Sequence, residues 1–179
     1  MNDREILVGV TGGIAAFKTA ALVSDLVQRG ARVTVVMTEA AKQFVGESTF
    51  AALSGRPVAS KLFAPAENPL GAHIELARRA ELLAVAPATA NYLAATAHGS
   101  ANDLLSTIYL CFSGPVFFAP AMNCEMWDKP SVQRNIQQLR DDGVSIIEPE
   151  EGWLSCREKG KGRMASPESI RETIVKTLS

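Results

Sequence analysis

The 179-residue chain carries 18 Lys+Arg against 19 Asp+Glu, a formal net charge of −1, and 47% of it is hydrophobic. A length of this order suits one globular domain with a substantial core, which excludes a disordered chain and a small disulfide scaffold. Balanced charge, with no Lys/Arg block beyond residues 157–163, excludes the electrostatic footprint of a nucleic-acid binder and leaves a small molecule or a protein as partner.

Residues 1–5 are polar, and the apolar run after them is too short and wrongly flanked for a secretory signal. The most apolar stretch, 82–90, is interrupted by Pro87 and falls far short of the roughly 18–20 residues that span a bilayer, so no membrane segment is expected. Residues 6–11 are continuously apolar and end in Gly12-Gly13, and 14–29 carry apolar residues at helical spacing up to Gly30: strand, tight turn, helix. Residues 33–37 are β-branched and apolar, a second buried strand, and helical periodicity follows over 39–53 to a Ser54-Gly55 stop. A short strand is predicted over 57–63 and a Pro/Gly loop over 64–71, with His73 opening the next helix.

Residues 82–86 read as a strand ending at Pro87, and 89–97 and 102–111 as two short helices parted by His98-Gly99-Ser100. A strand over 115–119, a helix over 131–142, a strand over 144–147 and a closing helix over 167–178 complete the series. Apolar strands alternating with helices pair in parallel and are buried on both faces. The expected fold is therefore α/β, a doubly wound parallel, Rossmann-like sheet in one domain spanning 1–179, with no repeat or linker. Residues 148–166, with three glycines, four Lys/Arg and no apolar periodicity, are predicted to form a mobile flap on the C-terminal side.

Ligands of such sheets bind beyond the carboxyl ends of the strands. The residues there are Thr11-Gly12-Gly13-Ile14-Ala15, Thr38, Pro87-Ala88-Thr89-Ala90-Asn91 and Pro120-Ala121-Met122-Asn123, all small, hydroxyl-bearing or uncharged. Glycines that admit a phosphate to helix N–H groups favour a nucleotide or flavin, although Gly12-Gly13 is also compatible with a plain strand-to-helix turn. Phe17 occupies the position of the second P-loop glycine, and the G-x-G-x-x-G fingerprint is absent, with Glu39 a weak stand-in for its ribose-binding carboxylate. Walker-type ATP binding and NAD are thus disfavoured.

His73 could exchange a proton near neutral pH or simply sit at the surface, and His98 is the more ordinary of the two. Neither has the companions of a metal site, so no metal is expected. Cys111, Cys124 and Cys156 form no C-x-x-C pair and are odd in number, which argues against disulfides and for a reducing, cytoplasmic setting. Cys111 and Cys124 read as core fillers. Cys156 lies among Arg157, Lys159, Lys161 and Arg163, where cations favour a reactive thiol, the alternative being an exposed bystander.

Several motifs occur in order: His73-Ile74-Glu75-Leu76-Ala77, Ala86-Pro87-Ala88-Thr89-Ala90-Asn91, Asn102-Asp103, Pro120-Ala121-Met122-Asn123-Cys124-Glu125-Met126-Trp127, and Cys156 followed by Gly160-Lys161-Gly162-Arg163-Met164. Together they resemble the homo-oligomeric flavin-containing cysteine decarboxylases over nearly the whole chain, most closely the members acting on 4′-phosphopantothenoylcysteine. The resemblance implies FMN held by Gly12, Gly13, Ile14, Ala15, Thr38, Pro87, Ala88, Thr89, Ala90, Asn91 and Ala119. It implies His73 as base, Asn123 as the clamp on the substrate carboxylate, Met122 and Gly160 as further substrate-binding residues, Cys156 as acid, and Gly160 also as the residue that lets the flap close.

In that family the substrate's cysteine side chain is oxidised to a thioaldehyde, whose C=S group accepts the electrons left by departing carbon dioxide. The resulting enethiolate is then reduced and protonated to 4′-phosphopantetheine, a step of coenzyme A biosynthesis. A homotrimer, or a multiple of it, is implied, with Phe50 and Trp127 as candidates for the interface or the core. Two positions depart from the pattern: Arg157 stands where the family usually has Gly, and Ser166 where an acidic residue is more usual. The length leaves no room for the synthetase to which bacterial members are often fused, so either that activity is expected in another chain or the protein serves a different pathway. The alternatives are a decarboxylase of C-terminal cysteines in lantibiotic precursors and a non-catalytic flavin-binding or regulatory subunit. A flavin prenyltransferase of similar fold would lack the Asn123 and Cys156 motifs.

Overall fold

Five parallel strands, β1 (Glu5–Val10), β2 (Arg32–Met37), β3 (Leu82–Ala88), β4 (Val116–Pro120) and β5 (Ser145–Ile146), lie side by side in the order β2-β1-β3-β4-β5. The computed structural model describes residues 1–63 and 70–179. Side chains alternate across each strand, so Ile6, Val8 and Val10 of β1 enter one core with Leu82, Ala84 and Ala86 of β3, while Leu7, Leu83 and Val85 enter the other. Burial on both faces is why these segments read as unbroken apolar runs.

Helices α1 (Ala16–Gln28), α2 (Glu47–Ser54) and α8 (Pro167–Leu178) cover the first face. The second is covered by α3 (Ala72–Arg79), α4 (Ala90–Ala97), α5 (Leu104–Cys111) and α7 (Pro130–Asp141). Ion pairs gather at the amino edge of the sheet. There Arg56 clasps Glu5 through both nitrogens at 2.7 and 2.9 Å and holds its carboxyl below the usual range, and Arg4 pairs with Glu81. Directly after the strands stand small and hydroxylated residues, Thr11 and Gly12 after β1, Thr38 after β2 and Thr89 after β3.

Several expectations need correction. The helix predicted over 39–53 is a 3-10 turn (Ala41–Gln43) followed by α2, because Gly46 adopts extended backbone between them. The strand over 57–63 reduces to one bridge between Val36 and Ala59, and most of the loop over 64–71 lies outside the described residues. A four-residue helix, α6 (Cys124–Trp127), was not anticipated. Phe50 and Trp127 are core residues, 0% and 4% exposed, whereas Cys111 is exposed at the end of α5 and Cys124 half-buried. Periodicity in the sequence says nothing of which way the last residue of a helix points.

The segment expected to be a structureless flap is a hairpin, with β6 (Glu150–Trp153) antiparallel to β7 (Lys159–Arg163). It lacks apolar periodicity because polar contacts and backbone dock it. Arg163 donates to Glu150 at 2.6 Å, and the Ser166 N–H donates to the same carboxylate at 2.9 Å. Lys161 reaches Glu148 at 2.9 Å and stands 5.4 Å from the centroid of the Trp127 ring. Met164 and Ala165, directly after β7, anchor its end in the core. No helix among the described residues is long and apolar enough to cross a membrane.

The Arg163 guanidinium and the Ser166 N–H hold the Glu150 carboxyl below its ordinary value of 4.5. A lowered folded pKa stabilises above the unfolded value and is lost as pH falls through the folded one. Amide exchange of β7 should therefore lose protection as pH drops from 5 to 3, and Glu150→Gln should show the weakened protection already at pH 7. Equal protection factors in both proteins across that window would show that this carboxylate does not hold the hairpin.

Candidate functional site

In a sheet of this order the chain leaves β1 toward one face and β3 toward the other, which opens a crevice between their carboxyl ends. Pro87 is tolerated in this central strand because the β3–β4 register shifts between Val85 and Ala88. Two buried hydroxyls donate to the carbonyls there: Thr19 of α1 to Ala86 O at 2.6 Å, and Thr11 to Pro87 O at 2.6 Å, which also accepts from the Thr11 N–H at 3.4 Å. The Thr11 oxygen also accepts from the Thr89 N–H at 3.0 Å, and Thr89 caps α4 by accepting from Tyr92 N–H.

Above this brace lies a cavity of about 930 Å³. One wall is the start of α1. Among the described residues, the N–H groups of Gly12, Ile14 and Ala15 find no backbone acceptor, and no side chain caps the helix. Gly12 is obligatory for space, since a Cβ there would stand 2.4 Å from the Ala40 Cβ. Ile14, Phe17, Met126 and Trp153 expose large apolar side chains into the same cleft. Lys18 also lines it, its ammonium pushed down first by burial and then by the Arg163 charge.

The opposite wall carries Met122, Asn123 and Cys156. Asn123 caps α6, its Oδ1 accepting from the N–H groups of Glu125 at 2.8 Å and Met126 at 3.3 Å. That fixes the amide, and its Nδ2 donates to Cys156 Sγ at 3.2 Å. The hairpin is seated against this wall by Met122 N–H, which donates to Gly162 O at 3.0 Å. Gly162 has φ 147°, and a Cβ on it would lie 2.4 Å from Met122 O. At the turn, Arg157 takes φ 65°, left-handed backbone in which glycine is the residue without strain.

Eleven of the residues singled out from the sequence meet on this one cavity: Gly12, Gly13, Ile14, Ala15, Thr38, Thr89, Ala90, Asn91, Met122, Asn123 and Cys156. Pro87, Ala88 and Ala119 lie in the strands beneath, Ala88 and Ala119 fully buried, and contribute backbone and packing rather than surface. Gly160 lies on β7 against Cys124. His73 is in the first turn of α3, off this cavity, with Nδ1 buried and without a hydrogen-bond partner among the described residues. His98 caps α4, its Nδ1 2.8 Å from Ala94 O. Sequence reasoning gave no place in the cavity to Phe17, Lys18 or Trp153, and named Met126 and Arg163 only within motifs or as a nearby charge. Phe17 and Lys18 lie in the first turn of α1, just beyond the glycine turn, a signal that they share its site.

The Flavoprotein family model matches residues 1–179. The chain belongs to the Flavoprotein family. It is 48% identical over 170 residues to the coenzyme A biosynthesis bifunctional protein CoaBC of Bacillus subtilis (strain 168), a match covering 95% of this chain and 42% of that protein. The chain thus spans less than half the length of that relative. A PPC decarboxylase cysteine-to-serine mutant complexed with pantothenoylaminoethenethiol superposes with TM-score 0.90 at 28% identity, covering 99% of both chains. The FMN-dependent cysteine decarboxylase SpaF superposes with TM-score 0.82 at 31% identity, covering 98% of both. The doubly wound flavoprotein architecture expected from the sequence is the one observed.

The two glycines of the turn separate space from flexibility. Gly12→Ala should destabilise the protein by about 1–3 kcal/mol, the usual cost of overpacking, because Ala40 backbone must move. Gly13→Ala, whose Cβ would meet nothing nearer than Thr89 Cγ2 at 3.6 Å, should be close to neutral in urea denaturation. Equal losses would show that the turn depends on glycine's backbone freedom and not on the contact with Ala40.

Proposed function

We propose that this chain is an FMN-dependent decarboxylase converting 4′-phosphopantothenoylcysteine to 4′-phosphopantetheine, acting in the cytoplasm as a homotrimer or a multiple of one. The observation that carries the reading is the 3.2 Å contact between Asn123 Nδ2 and Cys156 Sγ on one wall of the cleft. The residues are 33 positions apart, and each is oriented by a separate element. Relatives named for coenzyme A biosynthesis and a neighbour titled PPC decarboxylase support the substrate.

The cleft fits FMN. The uncapped end of α1 offers N–H donors to a phosphate, with Lys18 adding positive charge beside it. Ile14, Phe17 and Met126 offer apolar surface to a ring system, and Thr38 and Thr89 offer hydroxyls at the strand ends. Bound there, FMN supplies the two-electron oxidation of the substrate's thiol-bearing carbon and its later reversal.

The protein's own groups do the rest. Asn123, held by two N–H groups of α6, presents a neutral donor to the substrate carboxylate. A cation in its place would stabilise the ionised ground state and oppose loss of carbon dioxide. Cys156, beside that donor, is placed to deliver a proton from its S–H to the carbon that carried the carboxylate. The neighbour captured with an aminoethenethiol is a cysteine-to-serine mutant, which supports a cysteine in the final protonation. His73 acts as base from a neighbouring copy, a reading supported by its place off this copy's cavity and by its orphaned Nδ1.

Mass spectrometry after incubation with 4′-phosphopantothenoylcysteine, beside a peptide ending in cysteine, tests the assignment. Loss of carbon dioxide from the first alone, without net oxidation, is the expected result. Loss from the peptide alone would make the protein a peptidyl-cysteine decarboxylase, and no loss from either by the yellow protein would leave flavin binding without catalysis. Cys156→Ser should release carbon dioxide yet accumulate the enethiol, and Asn123→Asp should lower kcat/KM by roughly 100-fold, the cost of a lost hydrogen bond to a charged group. Reduced product from Cys156→Ser at the wild-type rate would remove the thiol from the proton-donor role.

A further inference from the structure

The thiols of Cys124 and Cys156 are bound to one oxygen. Glu158 Oε2 accepts from Cys156 Sγ at 3.6 Å and from Cys124 Sγ at 3.8 Å. Cys124 starts α6, whose cap Asn123 also touches Cys156, and Cys156 lies in the turn between β6 and β7. The hairpin packs closely on α6, since β7 passes Cys124 at Gly160, where an added Cβ would stand 2.8 Å from Cys124 Cβ and 3.1 Å from its sulfur. Cys156 is exposed and Cys124 half-buried, so an oxidant reaches the first more readily than the second. Cys111 is a different case: its S–H donates to Ile108 O and His73 O, and burial pushes the thiol up, away from the thiolate.

We propose that Cys124 and Cys156 are a reversible redox pair, closed to a disulfide by hydroperoxides with the Glu158 carboxylate as proton shuttle. In the first step the Cys156 proton passes to Glu158 while its sulfur attacks hydrogen peroxide. The O–O bond breaks, an S–O bond forms, and the departing hydroxide takes the proton from Glu158 and leaves as water. In the second, the Cys124 proton passes to Glu158 as its sulfur attacks the sulfenic sulfur of Cys156. The S–O bond breaks, the S–S bond forms, and the second hydroxide leaves as water with that proton. Two thiols are oxidised by two electrons, one peroxide is reduced to two waters, and the carboxylate ends as it began. A thiol without a resolving partner proceeds instead to sulfinic and sulfonic acids. Cys124 thus protects Cys156, and, on the reading that Cys156 is the proton donor, the disulfide switches product formation off reversibly.

The test uses the flavin-loaded protein treated with hydrogen peroxide, then alkylated, digested and analysed by mass spectrometry. The expected result is a linked pair of peptides containing Cys124 and Cys156, loss of two of the three titratable thiols, and full recovery of both with dithiothreitol. Cys124→Ser should instead carry sulfinic or sulfonic acid on Cys156 that dithiothreitol does not reverse. Glu158→Gln should form the linked pair about 100-fold more slowly, the lower range for loss of a general base. Irreversible oxidation of Cys156 at the same rate in wild type and Cys124→Ser, or a linkage that includes Cys111, would overturn the proposal. Because the readout is a peptide mass, a linked pair in a protein that decarboxylates nothing would leave the redox site standing and remove only the catalytic reading. Turnover without a linked pair would do the reverse.

Discussion

The Thr11 hydroxyl ties together the two strands between which the cleft opens. It donates to Pro87 O and accepts from Thr89 N–H, while Thr19 secures the carbonyl one residue earlier. A proline in the centre of a parallel sheet removes a ladder donor and leaves carbonyls without partners, each worth about 1–3 kcal/mol if buried and unsatisfied. Hydroxyls supplied from the residue after β1 and from α1 offset that cost, and the same bonds tie the starts of α1 and α4 together. The glycine turn before α1 and the cap of α4 follow from where β1 and β3 stop.

The second constraint is backbone against backbone. Gly162 lies so close to Met122 O that no side chain fits, and the Met122 N–H bond to Gly162 O pins β7 to the loop that ends in Asn123. Ion pairs of half-exposed residues, such as Arg163 with Glu150 and Lys161 with Glu148, add little individually but share one small hairpin. The seated hairpin delivers Cys156 to Asn123. Arg157 is the counter-example within it, a non-glycine side chain in left-handed backbone. The local cost is of order 1 kcal/mol, which the surrounding contacts outweigh.

Charge is distributed with the same economy. Carboxylates and guanidinia pair at the amino edge of the sheet, around Glu5, whereas the carboxyl edge presents uncaped helix N–H groups, Lys18 and Arg163. Lys18 sits near the positive end of a helix dipole and beside a guanidinium, an arrangement unfavourable in isolation that an anion in the cleft would match. Glu39 and Asp103 also line the cavity, and Glu158, in the turn of the hairpin, touches the two thiols.

Much of this was legible in the chain itself. Unbroken runs such as residues 6–11 and 82–86 determine a strand buried on both faces, and with helical stretches between them a doubly wound parallel sheet, because local period and burial are carried by nearest neighbours in sequence. Small and hydroxylated residues just past the strands pointed to Gly12, Thr38, Thr89 and Asn123, and the cations around Cys156 pointed to that residue; all five line the cavity. What the sequence does not carry is distance between segments. The docking of a polar hairpin through Gly162, the shared oxygen of Glu158 between Cys124 and Cys156, and the position of His73 off the cavity rest on backbone contacts and on the directions of side chains far apart in the chain. Those were decided by tertiary packing, since hydrogen bonds and ion pairs between distant segments leave no periodic trace in either one.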